Sequence, residues 1–197
     1  MSEITYERIK ENLLALNIMN AGYIGLSGKV IVSDPCYDRK LWCAIKDIAV
    51  KPGNYAAYIV KSDEQDAGVR VACIIVVLAE RVQLLKNDWE LLHGSIGVDS
   101  DQCGIFDDTI YPLDKESLGK YDDIDTFYGE CCKRILSGFQ GGVLKSYKGV
   151  VSSTGFGDGV YHLFCQYHEG ERVALMVDFG LADRSETTKA VLKSLYI

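Results

Sequence analysis

This sequence lacks the features of membrane-spanning, exported and nucleic-acid-binding proteins. Its longest apolar run, Val71 to Ala79, is about half the length of a membrane-spanning helix and indicates a buried strand. The N-terminus, Met1 to Arg8, has neither the basic start nor the apolar centre of a signal peptide. Lysine and arginine form no cluster and the net charge is −7, which disfavours binding to a phosphate backbone. We therefore expect a cytoplasmic protein that binds neither membrane nor nucleic acid.

Cysteine and histidine lack the spacing of disulfide frameworks and zinc sites. The seven cysteines are odd in number and include no Cys-x-x-Cys pair, so we expect reduced thiols. Only three histidines are available, and their spacing does not favour zinc. Only three prolines occur in 197 residues, of which 48% are hydrophobic and 25% charged. This composition is typical of an ordinary globular protein rather than a disordered chain.

What the sequence does contain is a series of short β patterns separated by glycine turns. Strands are predicted at 30–32, 55–60, 69–78, 96–98, 104–106, 142–147, 149–152, 160–166 and 172–179. The residues from His168 to Glu171 should join the last two strands as a hairpin. Because turns join most of these strands, we predict an α+β fold of mainly antiparallel sheet, as a sandwich or a partly open barrel.

Residues Tyr121 to Ser137 show the clearest helical pattern. Their apolar positions recur on one face at Ile124, Phe127, Tyr128, Cys131 and Ile135. Aspartates in the predicted first turn and basic residues in the last suit the helix dipole. Further helices are predicted at residues 3–17 and 185–195, and the first of them should be ended by Asn20, Gly22 and Gly25.

Two segments of the chain have similar sequences. The segment from Gly22 to Asp34 resembles the segment from Gly94 to Asp107, since each has a glycine turn, a short apolar strand and a terminal aspartate. The match is short and no long repeat period supports it, so chance explains it equally well. We predict one domain over residues 1–197, with two pseudo-repeated β lobes at about 22–90 and 94–180 as a further hypothesis.

A series of six short motifs lies between Gly28 and Phe179. They are GKVIVSDP at 28–35, KPGNY at 51–55, VRVA at 69–72, GVD at 97–99, GIFD at 104–107 and GFGDGVY at 155–161. Together they resemble an uncharacterised family of bacterial and phage domains of unknown function. In that family Phe156 is usually tryptophan, and Asp101 stands where glycine is usual. The resemblance implies a common fold and supplies no activity or catalytic residue.

The motif GFGDGVY allows two interpretations. A phosphate-binding glycine loop is followed by a helix, whose N-terminus faces the anion. Here a strand pattern follows, so Asp158 and Gly159 predict a hairpin turn instead. Three glycines still permit a ligand to approach the backbone closely, so a binding role stays open.

Aspartates at strand ends and glycine turns raise a metal-binding alternative. They are Asp34, Asp99, Asp107, Asp158 and Asp178. Carboxylates that converge at one sheet edge would bind Mg²⁺ or Ca²⁺ and could support a divalent-metal-dependent hydrolase, with His162 as its general base. Aspartates in turns more often bond to nearby backbone N–H groups, which favours a structural role. Cys36 and Cys103 are predicted in loops, but no nucleophile signature surrounds either thiol.

Our preferred interpretation is a non-enzymatic cytosolic binding module without a resident cofactor. Its candidate ligand-binding residues are Asp34, Tyr37, Asp99, Asp107, Phe156, Asp158, Tyr161 and His162, together with the aromatic residues Trp42 and Tyr111. The ligand is a small molecule or a protein partner. A signalling nucleotide, with Arg39, Lys40 or Arg70 at its phosphate, is one candidate. The further alternative is an immunity-type interaction protein whose acidic surface meets a basic partner. We make no prediction of the oligomeric state.

Overall fold

The structure is a computed structural model that describes residues 16–86 and 89–180. The strands are β1 (Leu16–Leu26), β2 (Lys29–Ser33), β3 (Ala44–Ala49), β4 (Gly53–Asp63), β5 (Val69–Leu78), β6 (Glu90–Val98), β7 (Gln102–Asp107), β8 (Gly141–Leu144), β9 (Gly149–Ser153), β10 (Gly159–His168) and β11 (Glu171–Asp178). Helices α1 (Lys115–Leu118) and α2 (Phe127–Leu136) lie between β7 and β8. Short 3-10 segments occupy Gln65–Ala67 and Ala79–Lys86.

The strands form two antiparallel sheets. The six-stranded sheet has the order β1-β4-β5-β11-β10-β6, and the five-stranded sheet has the order β3-β2-β7-β9-β8. The predicted α+β fold of mainly antiparallel sheet is therefore confirmed. Both sheets combine strands from both halves of the chain, because β5 pairs with β11 and β2 pairs with β7. That the halves are related as repeats stays a prediction.

The main core lies between the two sheets. Ile59, Ile74 and Leu175 of the six-stranded sheet share one buried cluster with Val32 and Ile105 of the five-stranded sheet. The central strand β5 is buried on both faces, because its alternate residues belong to a second cluster on the outer side of the larger sheet. Burial on both faces explains why β5 reads as a continuous apolar run rather than an alternating pattern.

Helix α2 packs on the outer face of the five-stranded sheet. Its Phe127 meets Phe106 and Tyr111 with ring centroids 5.2 and 5.0 Å apart. The helix begins at Phe127 rather than at the predicted Tyr121, because the side chain of Thr126 accepts a hydrogen bond from Gly129 N and caps the helix there. Residue Ile124 therefore precedes the helix and is exposed, so its predicted place on the core face is wrong.

The first described strand corrects another prediction. Asn20, Gly22 and Gly25 lie inside β1 and do not break a segment there. The register shifts between Asn20 and Gly22, where Gly22 has a φ of 125°, so the edge strand absorbs these residues in a bulge. Residues 3–15 and 185–195, which carry most of one predicted helix and all of another, lie outside the described residues.

Two turns of similar sequence have different roles. The predicted hairpin from His168 to Glu171 is confirmed, with Glu169 and Gly170 at φ 53° and 80° between β10 and β11. The predicted hairpin at Asp158 and Gly159 is wrong, because β9 and β10 belong to different sheets. The GFGDG segment instead carries the chain from one sheet to the other. In the described part of the chain no helix has the length and apolar character to cross a membrane.

Candidate functional site

Asp34 is the centre of a buried hydrogen-bond network at the end of β2. Its carboxylate accepts bonds from Cys36 N at 2.9 Å, Asp99 N at 2.9 Å and Ser100 Oγ at 2.6 Å. Burial raises the pKa of Asp34, although the three hydrogen bonds partly oppose that shift. The hydroxyl of Tyr37 donates to Asp99 Oδ2 at 2.5 Å, which raises the pKa of Tyr37. The network joins β2 to the turn between β6 and β7.

The residues of the GFGDG segment attach to the same turn. Asp158 is exposed, and its Oδ1 accepts a bond from Asp101 N at 3.3 Å. Asp101 has a φ of 57°, so the backbone keeps a left-handed turn although the residue is not glycine. The hydroxyl of Tyr161 donates to Gly157 O at 2.5 Å, and its ring lies 5.1 Å from that of Phe179. Both Asp158 and Tyr161 therefore stabilise the crossover itself.

The aspartates do not converge on one site. Asp107 lies at the opposite end of β7 from Gln102, where it accepts bonds from the backbone and side chains of Ser27 and Thr109. Burial by itself would raise the pKa of Asp107, but these hydrogen bonds outweigh it and lower the pKa. Asp178 accepts a bond from Gly180 N.

Within the described residues, the aspartates and the predicted general base do not come together as a metal centre. His162 is exposed on β10, opposite Ser95 and Asp178 in the sheet. Across residues 16–86 and 89–180 no group of three or more His, Cys, Asp and Glu side chains could hold a metal ion. The hydrogen bonds of the aspartates therefore favour a structural role, in which the carboxylates bond to groups of the protein itself.

The predicted aromatic surface is not continuous. Tyr111 is buried against the helices, and its hydroxyl bonds to Ser33 Oγ and to Tyr37 O. Tyr161 is buried in the core between the sheets. Trp42 is exposed and lies over Gly97, whose backbone it covers so closely that no Cβ would fit.

Of the three basic residues named for a phosphate, Arg70 lies beside the predicted ligand-binding residue Phe156. Arg39 donates Nε and Nη2 to the two carboxylate oxygens of Asp108, each at 2.7 Å, so its guanidinium is already engaged. Lys40 is exposed at the next position of the same loop. The guanidinium carbon of Arg70 lies 5.8 Å from the ring centroid of Phe156.

Arg70 and Phe156 belong to a cleft of about 270 Å³ at the start of the GFGDG segment. We call it the Phe156 cleft and define it by Arg70, Asp101, Gln102, Gln140, Ser153 and Phe156. These residues come from β5, β7, β9 and the connections before β7, β8 and β10. The crossover is held in place by Gly155 N, which donates to Val71 O at 3.1 Å. The volume lies just below the range of about 300–1,000 Å³ that is usual for small-molecule sites.

Two buried amide oxygens in the Phe156 cleft have no hydrogen-bond partner among the residues that the structure describes. Gln102 is only 8% exposed; its Nε2 donates to Cys132 Sγ at 3.6 Å, and its Oε1 is unpaired. The Nε2 of Gln140 donates to Val69 O at 3.1 Å, and its Oε1 is likewise buried and unpaired. Buried polar atoms almost always have a partner, so two such oxygens in one cleft are unusual. Neither glutamine is predicted from the sequence, because nothing in the local pattern of either residue signals burial.

A larger apolar cleft of about 350 Å³ lies beside α1 and α2. Its lining includes Cys36 and Tyr128. Cys36 is half-buried, and burial together with the nearby charge of Asp34 raises the pKa of its thiol despite a hydrogen bond with Tyr128. Cys103, predicted in a loop, is fully buried in β7, and burial raises its pKa as well. Neither thiol is activated as a nucleophile, since activation requires a lowered pKa.

Comparison with known proteins finds no matching family model and no significant match to a curated protein or a solved structure. The resemblance carried by the motifs therefore stays a prediction. The residues and geometry of the Phe156 cleft are the basis for the proposals below.

Proposed function

We propose that this protein is a non-enzymatic binding module that holds a small molecule in the Phe156 cleft. The observation that carries the proposal is the pair of buried, unpaired oxygens, Gln102 Oε1 and Gln140 Oε1. Leaving a buried acceptor unpaired costs about 1–3 kcal/mol, and a ligand that donates to it would recover that free energy. Because both oxygens are buried, a donor on the ligand reaches them only when the side chains that cover them move.

The aromatic ring of Phe156 supports the same proposal. It is 61% exposed and lies between two glycines, whose lack of side chains leaves its surroundings open. An exposed aromatic face beside a guanidinium gives a flat apolar surface on which a ligand can stack. Polar groups that fix orientation, combined with an aromatic surface, are typical of small-molecule sites.

The chemistry of the cleft favours binding rather than catalysis. Its defining residues include no thiol and no imidazole, and its one carboxylate belongs to Asp101. All seven cysteines are unpaired, which suits a reducing compartment and supports a cytosolic location.

A ligand screen followed by calorimetry tests this function. The screen measures the melting temperature with nucleotides, sugars and amino-acid derivatives, because a ligand that binds only the folded state raises it. For any such ligand, Phe156→Ala should weaken binding at least about tenfold, because the stacking surface is lost. The matched control is Phe139→Ala, since Phe139 is 63% exposed but does not define the cleft. A screen without any stabilising compound, or equal affinity in both variants, would contradict the proposal.

A further inference from the structure

The orientation of the Gln140 amide in the Phe156 cleft is set by its surroundings. Its Nε2 donates to the carbonyl oxygen of Val69, a group that can only accept hydrogen bonds. Rotating the amide by half a turn would place Gln140 Oε1 against Val69 O, and two acceptors cannot form a hydrogen bond. The unpaired Oε1 therefore remains an acceptor to which no described group of the protein donates.

Three donors at the cleft are already used within the protein. Ser100 Oγ donates to Asp34 at 2.6 Å, and Thr154 Oγ1 donates to Gly157 O at 2.8 Å. Gln102 Nε2 donates to Cys132 Sγ. The carboxylate of Asp101 adds further acceptor oxygens at the same cleft. Apart from the Ser153 hydroxyl, which can donate or accept, the polar groups left at the cleft are acceptors. A ligand edge made of N–H donors matches them once the side chains that cover the buried oxygens move.

The mouth of the cleft presents hydrogen-bond donors and a positive charge instead. Arg70 is exposed, and its Nε donates to Ala67 O at 2.9 Å, which holds the side chain at the rim near Phe156. A guanidinium held in this way recognises carboxylate or phosphate groups through its remaining N–H donors. The anionic end of a ligand would therefore point outward to Arg70, while its donor edge points to the glutamines.

We infer that the ligand is a small planar heterocycle that bears an exocyclic amino group and one anionic substituent, as in an aminopurine or aminopyrimidine nucleoside monophosphate. This inference rests on the proposed function and adds the chemistry of the ligand. The ring stacks on Phe156, its amino group donates to Gln140 Oε1, and its phosphate meets Arg70. The cleft volume of about 270 Å³ limits the ligand to a small molecule and excludes an oligonucleotide.

Pairs of nucleotides that differ in one group test the donor edge on the unmodified protein. Calorimetry compares adenosine monophosphate with purine riboside monophosphate, and cytidine monophosphate with pyrimidin-2-one riboside monophosphate, because each pair exchanges only the amino group for hydrogen. We expect the amino member to bind at least about tenfold more tightly, since its partner has no exocyclic donor for the unpaired acceptor. Equal affinity within either pair, or preference for a member without the amino group, would overturn the inference.

The contact with the phosphate is tested separately. Adenosine should bind at least about tenfold more weakly than its monophosphate, and Arg70→Met should remove most of that difference. The control is Lys46→Met, because Lys46 is exposed on β3 and does not line the cleft. If Arg70→Met leaves the difference intact, the assignment of Arg70 is wrong.

The two proposals fail in different ways. If other compounds bind with dependence on Phe156 while no nucleotide binds, the ligand class is wrong and the binding function stands. If no compound in the wider screen binds, both proposals are wrong.

Discussion

Ser100 donates its hydroxyl proton to Asp34 Oδ1 across 2.6 Å, and the two residues are 66 positions apart in the chain. The bond links the turn between β6 and β7 to the end of β2. The same turn also holds the GFGDG crossover, because Asp101 N donates a hydrogen bond to Asp158 Oδ1. One buried carboxylate thus helps to position the segment that carries Phe156.

The first prediction concerns the loss of that carboxylate. Asp34→Ala leaves the donors of Cys36, Asp99 and Ser100 without their acceptor, so we expect the free energy of unfolding to fall by about 3 kcal/mol. Urea denaturation measures the change. The control is Asp38→Ala, which removes a single bond from Lys40 N at a more exposed position and should cost less than about 1 kcal/mol. Similar losses in the two variants would contradict the role of Asp34.

Asp107 should make stability depend on acid pH. Its folded-state pKa is lowered, so its ionised form stabilises the fold at neutral pH, and that contribution is lost as the pH falls through the lowered pKa. Asp107→Asn should therefore be less stable than the unmodified protein at pH 7, and the difference should shrink below the ordinary aspartate pKa of about 4. Urea denaturation at a series of pH values from roughly 3 to roughly 7 measures the difference in the free energy of unfolding. A difference that does not change with pH would be inconsistent with this assignment.

The ion pair between Arg39 and Asp108 should contribute to stability because Asp108 is buried. Arg39→Met leaves that carboxylate without its two-point partner, and we expect a loss of about 2 kcal/mol. The matched control is Lys29→Met, because Lys29 contacts Asp47 at 3.5 Å and both side chains are 62% exposed. An exposed pair of this kind contributes less than about 1 kcal/mol. Chemical denaturation of both variants would reveal the contrast, and an equal effect would argue against it.

The close approach at Gly129 should not tolerate a side chain. A Cβ there would lie 1.9 Å from the carbonyl oxygen of Asp123, so Gly129→Ala must displace the segment that precedes α2. We expect a loss of about 2 kcal/mol, comparable with other overpacked positions. Gly138→Ala is the control, because a methyl group there would meet no atom of a more distant residue within 4 Å, and its stability should be within about 0.5 kcal/mol of the unmodified protein. Thermal denaturation distinguishes the two, and equal melting temperatures would contradict the close approach.

Thiol reactivity should be confined to one residue in the folded protein. Cys36 is half-buried whereas the other six cysteines are buried, so a disulfide reagent should label about one thiol per native chain. Because the pKa of Cys36 is raised, labelling at pH 7 should be slower than that of a free thiol. Cys36→Ser should abolish the native reaction, while denaturation exposes the remaining cysteines. Rapid labelling of several native thiols would refute the burial pattern.

Local sequence predicted the strands best where burial is strong on both faces. The strand β5 has the predicted bounds, Val69–Leu78, because a continuous apolar run between turn residues has few other stable arrangements. The strand β1 was missed, because its glycines are also helix breakers and only pairing with β4 shows that they form a bulge. The start of α2 was misplaced, because the cap at Thr126 depends on how the preceding segment folds back.

The site was predicted only in part. Phe156 and Arg70 were named from the sequence, since an aromatic residue among glycines and a basic residue at a strand start are visible locally. Gln102 and Gln140 were not named, because a glutamine becomes a buried acceptor only when neighbouring strands surround it. Asp107 was grouped with Asp34, although the antiparallel pairing of β2 and β7 places them at opposite ends.

The sequence by itself determined the class of the protein: alternating and continuous apolar segments, separated by glycine turns, require sheets that bury their faces against a common core. Tertiary structure decided which strand ends meet. Pairing between β2 and β7, and the crossovers from one sheet to the other, depend on contacts between residues far apart in the chain. The Phe156 cleft exists only where those distant segments come together, so its acceptors and its cation could not be recognised as one site from local patterns.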